Sequence, residues 1–261
     1  MQRRNGATEL GLAVASLAAM CRFVEGPYLP AATALIVLLA VFGSARLQGQ
    51  GSRDGARPER LILPGLAAFA GVGIGRLVGP VPWLAGVFGV TWLAVTWAVS
   101  IEVEPVLSDG SHARPVAARL GAFGLAFGAF AAVGGLVPGS IPGGGHQPDA
   151  PTSLAALTLL IATGSLAGCR AATVRPHTGR RVATAFVQYA LVLVPAGAVV
   201  WVLGLPRLFG PALLLVAMYL ATSLRESDEP VRSNVRLIEE SAALVLAGLA
   251  VVVLGLLMRQ W

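Results

Sequence analysis

Nine apolar segments alternate with short polar segments along the chain. An α-helix of about 20 apolar residues crosses a hydrocarbon layer roughly 30 Å thick. Glycine, proline and arginine concentrate in the polar segments, where they end helices and form loops. The pattern therefore predicts an all-α polytopic integral membrane helical bundle with about nine transmembrane helices. The predicted helices cover residues 8–24, 28–47, 61–79, 82–101, 116–137, 152–171, 182–204, 207–224 and 237–258.

The composition supports a membrane location and excludes several classes of protein. Hydrophobic residues make up 56% of the chain and charged residues 12%, with a mean hydropathy of +0.75. Soluble domains carry about 25% charged residues, and disordered chains are poor in hydrophobic residues. All 19 basic residues are arginine, so chemistry that depends on lysine, such as Schiff-base formation or a Walker-type phosphate loop, is excluded.

The distribution of arginine predicts the orientation in the membrane. With the amino terminus in the cytoplasm, fifteen of the 19 arginines fall on the cytoplasmic side and four on the outer side. Arginine accumulates in cytoplasmic loops of membrane proteins, so the net charge of +6 does not require a nucleic-acid partner. We therefore expect a protein of the cell (cytoplasmic) membrane with a cytoplasmic amino terminus and an outer carboxyl terminus.

The first apolar segment superficially resembles a signal peptide, since Arg3 and Arg4 precede an apolar run that ends at Met20. No small-x-small cleavage site follows the run, so we expect it to remain as the first helix.

The two cysteines are predicted on opposite sides of the membrane, Cys21 near the outer surface and Cys169 near the cytoplasmic surface. A disulfide between them is therefore not expected.

The whole chain is predicted to form a single transmembrane domain that contains a possible 1+4+4 parallel tandem repeat. A leading helix, 8–24, precedes two four-helix units, 28–137 and 152–258. Corresponding outer turns read Arg-Leu-Val-Gly-Pro at 76–80 and Arg-Leu-Phe-Gly-Pro at 207–211. An even number of helices per unit gives both units the same orientation. The alternative is that topogenic arginines recur at loops without any duplication.

No constellation of residues predicts catalysis, a metal site or a cofactor. Ionisable residues at membrane depth usually mark function, and none is predicted near the middle of a helix. Six of the nine glutamates lie near predicted helix ends, at positions 9, 25, 102, 104, 239 and 240, and the other three lie in predicted loops, at positions 59, 226 and 229. His112 and His177 fall in cytoplasmic loops and His146 in an outer loop, so they cannot form one metal site.

Two sets of residues are candidate binding sites. Arg76 and Arg207 lie at outer turns where arginine is otherwise scarce, and together they could hold a phosphate or carboxylate. The alternative is that each snorkels separately to the interface. Thr184, Gln188 and Tyr189 could line a polar pocket inside the membrane, or could simply form hydrogen bonds between helices.

Three Gly-x3-Gly motifs occur in predicted helices, at 71–75, 124–128 and 164–168. Such motifs allow transmembrane helices to approach closely. We expect them to help the third, fifth and sixth helices pack, but a chain this rich in glycine contains several by chance, so they identify no function.

The sequence leaves two hypotheses for function. The first is a non-enzymatic membrane protein, either a partner subunit or a carrier that binds lipid or a small molecule. Its expected partners are membrane lipids and another membrane protein. The alternative is a membrane-embedded enzyme that acts on a lipid or isoprenoid at the cytoplasmic face. The enzyme hypothesis is favoured if His112 or His177 lies within hydrogen-bond reach of a glutamate such as Glu102 beside a lipid-accessible cleft.

Overall fold

The structure is a computed structural model, and it confirms the predicted all-helical membrane bundle. It describes residues 2–49, 58–78, 82–103, 113–137, 150–172, 179–203, 209–227 and 234–258. Within these ranges the chain forms nine α-helices and two short 3-10 turns, and no strand. The helices are α1 Gln2–Met20, α2 Tyr28–Gly49, α3 Ile62–Leu77, α4 Pro82–Val103, α5 Ala113–Leu136, α6 Ala150–Ala172, α7 Gly179–Leu203, α8 Phe209–Ser227 and α9 Asn234–Met258. The 3-10 turns are Cys21–Phe23 after α1 and Pro58–Leu61 before α3.

Six of the described helices, α2 to α7, are long and apolar enough to cross a membrane. The described apolar parts of α8 and α9 are shorter, Phe209–Ser223 and Leu246–Gly255. Helix α1 begins at Gln2 and not at residue 8, as predicted, because the polar residues before the apolar run also adopt helical structure. Glutamine and arginine are good helix formers, so hydropathy alone places the start of this helix too late.

Helix α3 lies at the centre of the first five helices and contacts α1, α2, α4, α5 and α6. Its most extensive contact is with α5, and small residues make that close approach possible. A side chain added at Gly73 would collide with the backbone and side chain of Ala132, and Gly135 faces the Gly73 carbonyl. Helices that meet at glycine bring their backbones into van der Waals contact.

The remaining helices extend the bundle on one side. Helix α6 packs against α5 and α7, α8 contacts both α7 and α5, and α9 packs against α8. The predicted motif in α6 does pack closely, because Gly164 meets Leu193 and Phe130, and Gly168 meets the ring of Tyr189. In α5 the Gly124 position has no neighbouring atom within 4 Å, so this half of the predicted motif makes no close contact.

Helices α3 and α4 run in opposite directions, as successive helices of a chain that crosses a membrane repeatedly do. The pairs Gly71 with Thr91 and Gly75 with Val87 show that α3 and α4 are antiparallel. Helix α3 therefore defines two ends of the first bundle. We call the end at its first residues the Arg60 end and the end at its last residues the Arg76 end.

Candidate functional site

A buried ion pair joins α4 to α6 at the Arg60 end. The Arg170 guanidinium donates two hydrogen bonds to the Glu102 carboxylate, from Nε to Oε1 at 2.6 Å and from Nη2 to Oε2 at 3.0 Å. Glu102 is 2% exposed and the side chain of Arg170 is 10% exposed. This two-pronged arrangement satisfies both carboxylate oxygens, and it pairs two charges that are largely shielded from bulk water.

A second polar group lies at the same end, around the 3-10 turn Pro58–Leu61. Gln48, in the last turn of α2, is buried, and its Nε2 donates to the Arg60 carbonyl at 3.5 Å. The Gln48 Oε1 is buried and accepts no hydrogen bond from any described residue. The Arg60 side chain is half-buried, and its charge acts on the nearby Glu102.

Two arginines bind backbone carbonyls at the Arg76 end. Arg76 donates from Nη1 to the carbonyls of Cys21, Arg22 and Val24, and from Nε to the Gly135 carbonyl at 3.2 Å. Arg22 in turn donates to the carbonyls of Gly75 and Val78.

These carbonyls belong to the ends of three helical segments, the 3-10 turn after α1, α3 and α5. Helix ends leave carbonyls without intrahelical donors and carry partial negative charge. The two guanidiniums therefore tie three helix ends together. The prediction that Arg76 and Arg207 jointly bind an anion stays a prediction, because Arg207 lies outside the described residues.

The candidate residues of α7 lie on different faces of that helix. Tyr189 is 1% exposed, and its hydroxyl lies 2.8 Å from the Thr222 hydroxyl of α8. Thr222 donates its own proton to the Met218 carbonyl, so Tyr189 is the donor in that pair. Thr184 and Gln188 lie on the exposed face. Tyr189 thus forms the hydrogen bond between helices that was one of the two alternatives, and the three side chains do not share one face.

Sequence reasoning missed the Glu102–Arg170 pair. Both residues close an apolar helix and both are expected on the cytoplasmic side, but they are 68 positions apart in the sequence, which hides their contact. The histidines of the enzyme hypothesis, His112 and His177, lie outside the described residues, as does His146. Within the described ranges no three histidine, cysteine, aspartate or glutamate side chains gather in a way that could hold a metal ion. Cys21 and Cys169 are both buried, and they form no disulfide with each other.

Comparison of the chain with protein-family models, with curated proteins and with solved structures finds no match. The structure itself defines a multi-pass α-helical membrane protein.

Proposed function

We propose that this chain is a non-enzymatic partner subunit of a membrane complex and contacts its partner through one face of α7. The observation that carries the proposal is an exposed amide inside an apolar span. Gln188 lies on the exposed face of α7, five residues into the span Ala183–Leu203. The side chains around it, Val187 and Leu191, are apolar and exposed. An unpaired amide in hydrocarbon costs about 4–8 kcal/mol on the water-to-cyclohexane scale.

A second polar group, the backbone carbonyl of Leu191, lies on the same face. Pro195 is inside α7 and exposed, and it lacks the N–H that would bond the Leu191 carbonyl. Helical spacing places Gln188, Leu191 and Pro195 on one narrow strip of surface. We call this strip the α7 stripe; it comprises the exposed residues Thr184, Gln188, Leu191, Pro195, Ala198 and Val202.

Backbone groups freed by proline in membrane helices are bonded by neighbouring helices, by serine or threonine side chains or by water. A transmembrane helix of a partner that presents a hydroxyl or amide against the stripe supplies a donor for the Leu191 carbonyl and a partner for Gln188. Interhelical hydrogen bonds of this kind contribute about 0.6–2 kcal/mol each. Membrane lipids cover the remaining exposed apolar surface in this proposal.

The orientation inferred from arginine is part of the proposal. The protein lies in the cytoplasmic membrane with the Arg60 end inside, the amino terminus cytoplasmic and the carboxyl terminus outside. At Gln50 we then expect activity from a reporter that works only in the cytoplasm. After Trp261 we expect activity from a reporter that works only outside the cytoplasm. The opposite result at either site would overturn this orientation. The two four-helix units are proposed to derive from an internal repeat.

Site-specific photo-crosslinking in native membranes tests the proposed contact. A photoreactive amino acid is placed at Leu191, and in a matched variant at Val90, an exposed position of α4. We expect a discrete protein adduct from Leu191 and only lipid adducts from Val90. The substitution Gln188→Leu removes the amide and keeps the apolar volume, so it should weaken the Leu191 adduct about 3- to 30-fold.

Two results would contradict the proposal. One is a Leu191 position that labels only lipid, as Val90 is expected to do. The other is a protein adduct whose yield is unchanged by Gln188→Leu, since the amide would then contribute nothing to association.

A further inference from the structure

Gln48, whose amide oxygen is unused, contacts the backbone of Arg60 at the Arg60 end. Gln48 is 6% exposed, and its Nε2 faces the Arg60 carbonyl. Exchanging the two ends of the amide would set two acceptor oxygens against each other, so the observed orientation is the favoured one. The Oε1 is therefore fixed as an acceptor, and among the described residues nothing donates to it. A buried acceptor in this state favours a ligand that brings an O–H or N–H group.

The guanidinium of Arg60 is available to the same ligand. In the described part of the chain no hydrogen bond or ion pair engages this half-buried side chain. Its nearest buried opposite charge, Glu102, has both oxygens bonded to Arg170. Arg60 thus keeps its donors for an external anion, and the fork of a guanidinium matches two oxygens of a phosphate.

The position of Arg60 along the membrane normal fits binding of a lipid headgroup. Arg60 is the second residue of the apolar span Glu59–Leu77, so it lies where hydrocarbon gives way to headgroups. Helix α3 begins two residues later, at Ile62, and its N-cap Leu61 supplies no side-chain hydrogen bond to the first turn. The positive end of the helix dipole adds to the attraction for a phosphate.

We propose that Arg60 and Gln48 form a binding site for a glycerophosphate group, that is, a phosphate ester that carries neighbouring hydroxyls. Arg60 holds the phosphate oxygens, and a ligand hydroxyl donates to Gln48 Oε1. The group can belong to phosphatidylglycerol or to a free glycerol phosphate. An ammonium headgroup also carries donors, but it would add positive charge beside Arg46, Arg60 and Arg170.

Native mass spectrometry of the full chain tests the site with defined lipids. Phosphatidylglycerol is compared with phosphatidylmethanol, which has the same charge and no hydroxyl, and with phosphatidylethanolamine. We expect phosphatidylglycerol to bind about tenfold more tightly than phosphatidylmethanol, the ratio that one hydrogen bond to a buried acceptor supplies. Free glycerol 3-phosphate is added as a competitor: displacement of the lipid at comparable concentration identifies a soluble ligand, and failure to displace identifies the lipid.

Three substitutions separate the two contacts. Arg60→Gln should weaken binding of both anionic lipids about tenfold, and Arg60→Lys should restore part of it, because charge is retained and the fork is lost. Gln48→Leu should abolish the preference between the two anionic lipids and leave phosphatidylmethanol binding unchanged. Arg46→Gln is the matched control, since Arg46 is exposed in the same turn of α2 and should affect both lipids less than about twofold.

The outcomes that overturn the proposal are equally specific. Equal affinity for the two anionic lipids, or tighter binding of phosphatidylethanolamine, would show that no hydroxyl is recognised. An Arg46→Gln effect as large as that of Arg60→Gln would show only general attraction between anionic lipid and a basic surface. Each variant is first compared with the parent in melting temperature, and Gln48→Met replaces Gln48→Leu if the latter does not fold.

Discussion

Removal of Arg170 leaves a buried carboxylate without a partner, and the structure sets the size of the effect. The Glu102 side chain is 2% exposed and bonded at 2.6 and 3.0 Å. Two unit charges about 4 Å apart attract by roughly 4 kcal/mol at an effective dielectric constant of 20. Breaking a buried pair by removing one partner typically costs about 3–5 kcal/mol, because the remaining charge stays desolvated. We expect that loss for Arg170→Met.

The corresponding double variant should recover most of the stability. Replacing both charges with apolar side chains of similar volume is often neutral, since no charge is left buried. The free energy of unfolding of the double variant, Glu102→Met with Arg170→Met, should therefore lie within about 1 kcal/mol of that of the parent. Glu102→Met alone should lose about as much as Arg170→Met alone.

Reversible unfolding in mixed micelles, followed by circular dichroism, measures the free energy of each variant. A double-mutant cycle isolates the coupling between the two side chains, and we expect a coupling above about 2 kcal/mol. Arg46→Gln removes an exposed charge at the same end and serves as the control, with an expected change within about 0.5 kcal/mol. Single variants that lose less than about 1 kcal/mol, or a double variant as unstable as either single one, would refute the reasoning.

Three other substitutions test the packing of the bundle. Arg76→Gln should lower the free energy of unfolding by about 2–3 kcal/mol, because hydrogen bonds from a charged donor to helix-end carbonyls are lost. Tyr189→Phe should cost about 1 kcal/mol in the same assay, since Thr222 keeps its own bond to a carbonyl. Gly73→Leu should prevent recovery of monodisperse protein on size exclusion, whereas Gly124→Ala, at a position with open space, should be recovered like the parent.

The helices were largely predictable because a membrane span leaves a direct signal in hydropathy. Helix α3 was predicted at 61–79 and is observed at Ile62–Leu77, and α7 was predicted at 182–204 and is observed at Gly179–Leu203. Hydropathy reports the apolar length of a helix and not its full length. The polar turns that continue a helix into the aqueous phase, as at Gln2, therefore escape the same analysis.

The glycines were predictable only in part, because a motif records spacing and not the partner. Gly164 and Gly168 do receive side chains from neighbouring helices, as the motif predicts. The closest approach between two backbones at a described glycine involves Gly73 and Gly135 instead, which lie on different helices and form no Gly-x3-Gly pair with each other. Which glycines meet is decided by the relative rotation of α3 and α5, a property of the assembled bundle.

Arg76 shows why the role of a charged residue at a helix end depends on how helices are assembled. From the sequence, an arginine at an outer turn either binds an anion or snorkels to the interface. In the structure its donors are directed to carbonyls, because α3 and α5 run parallel and end beside the 3-10 turn Cys21–Phe23. Three carbonyl-rich ends with the same sign of helix dipole repel one another, and a cation between them offsets that repulsion. Parallel packing of α3 and α5 therefore depends on a positive charge at this end, and the same requirement explains the reciprocal bonds of Arg22.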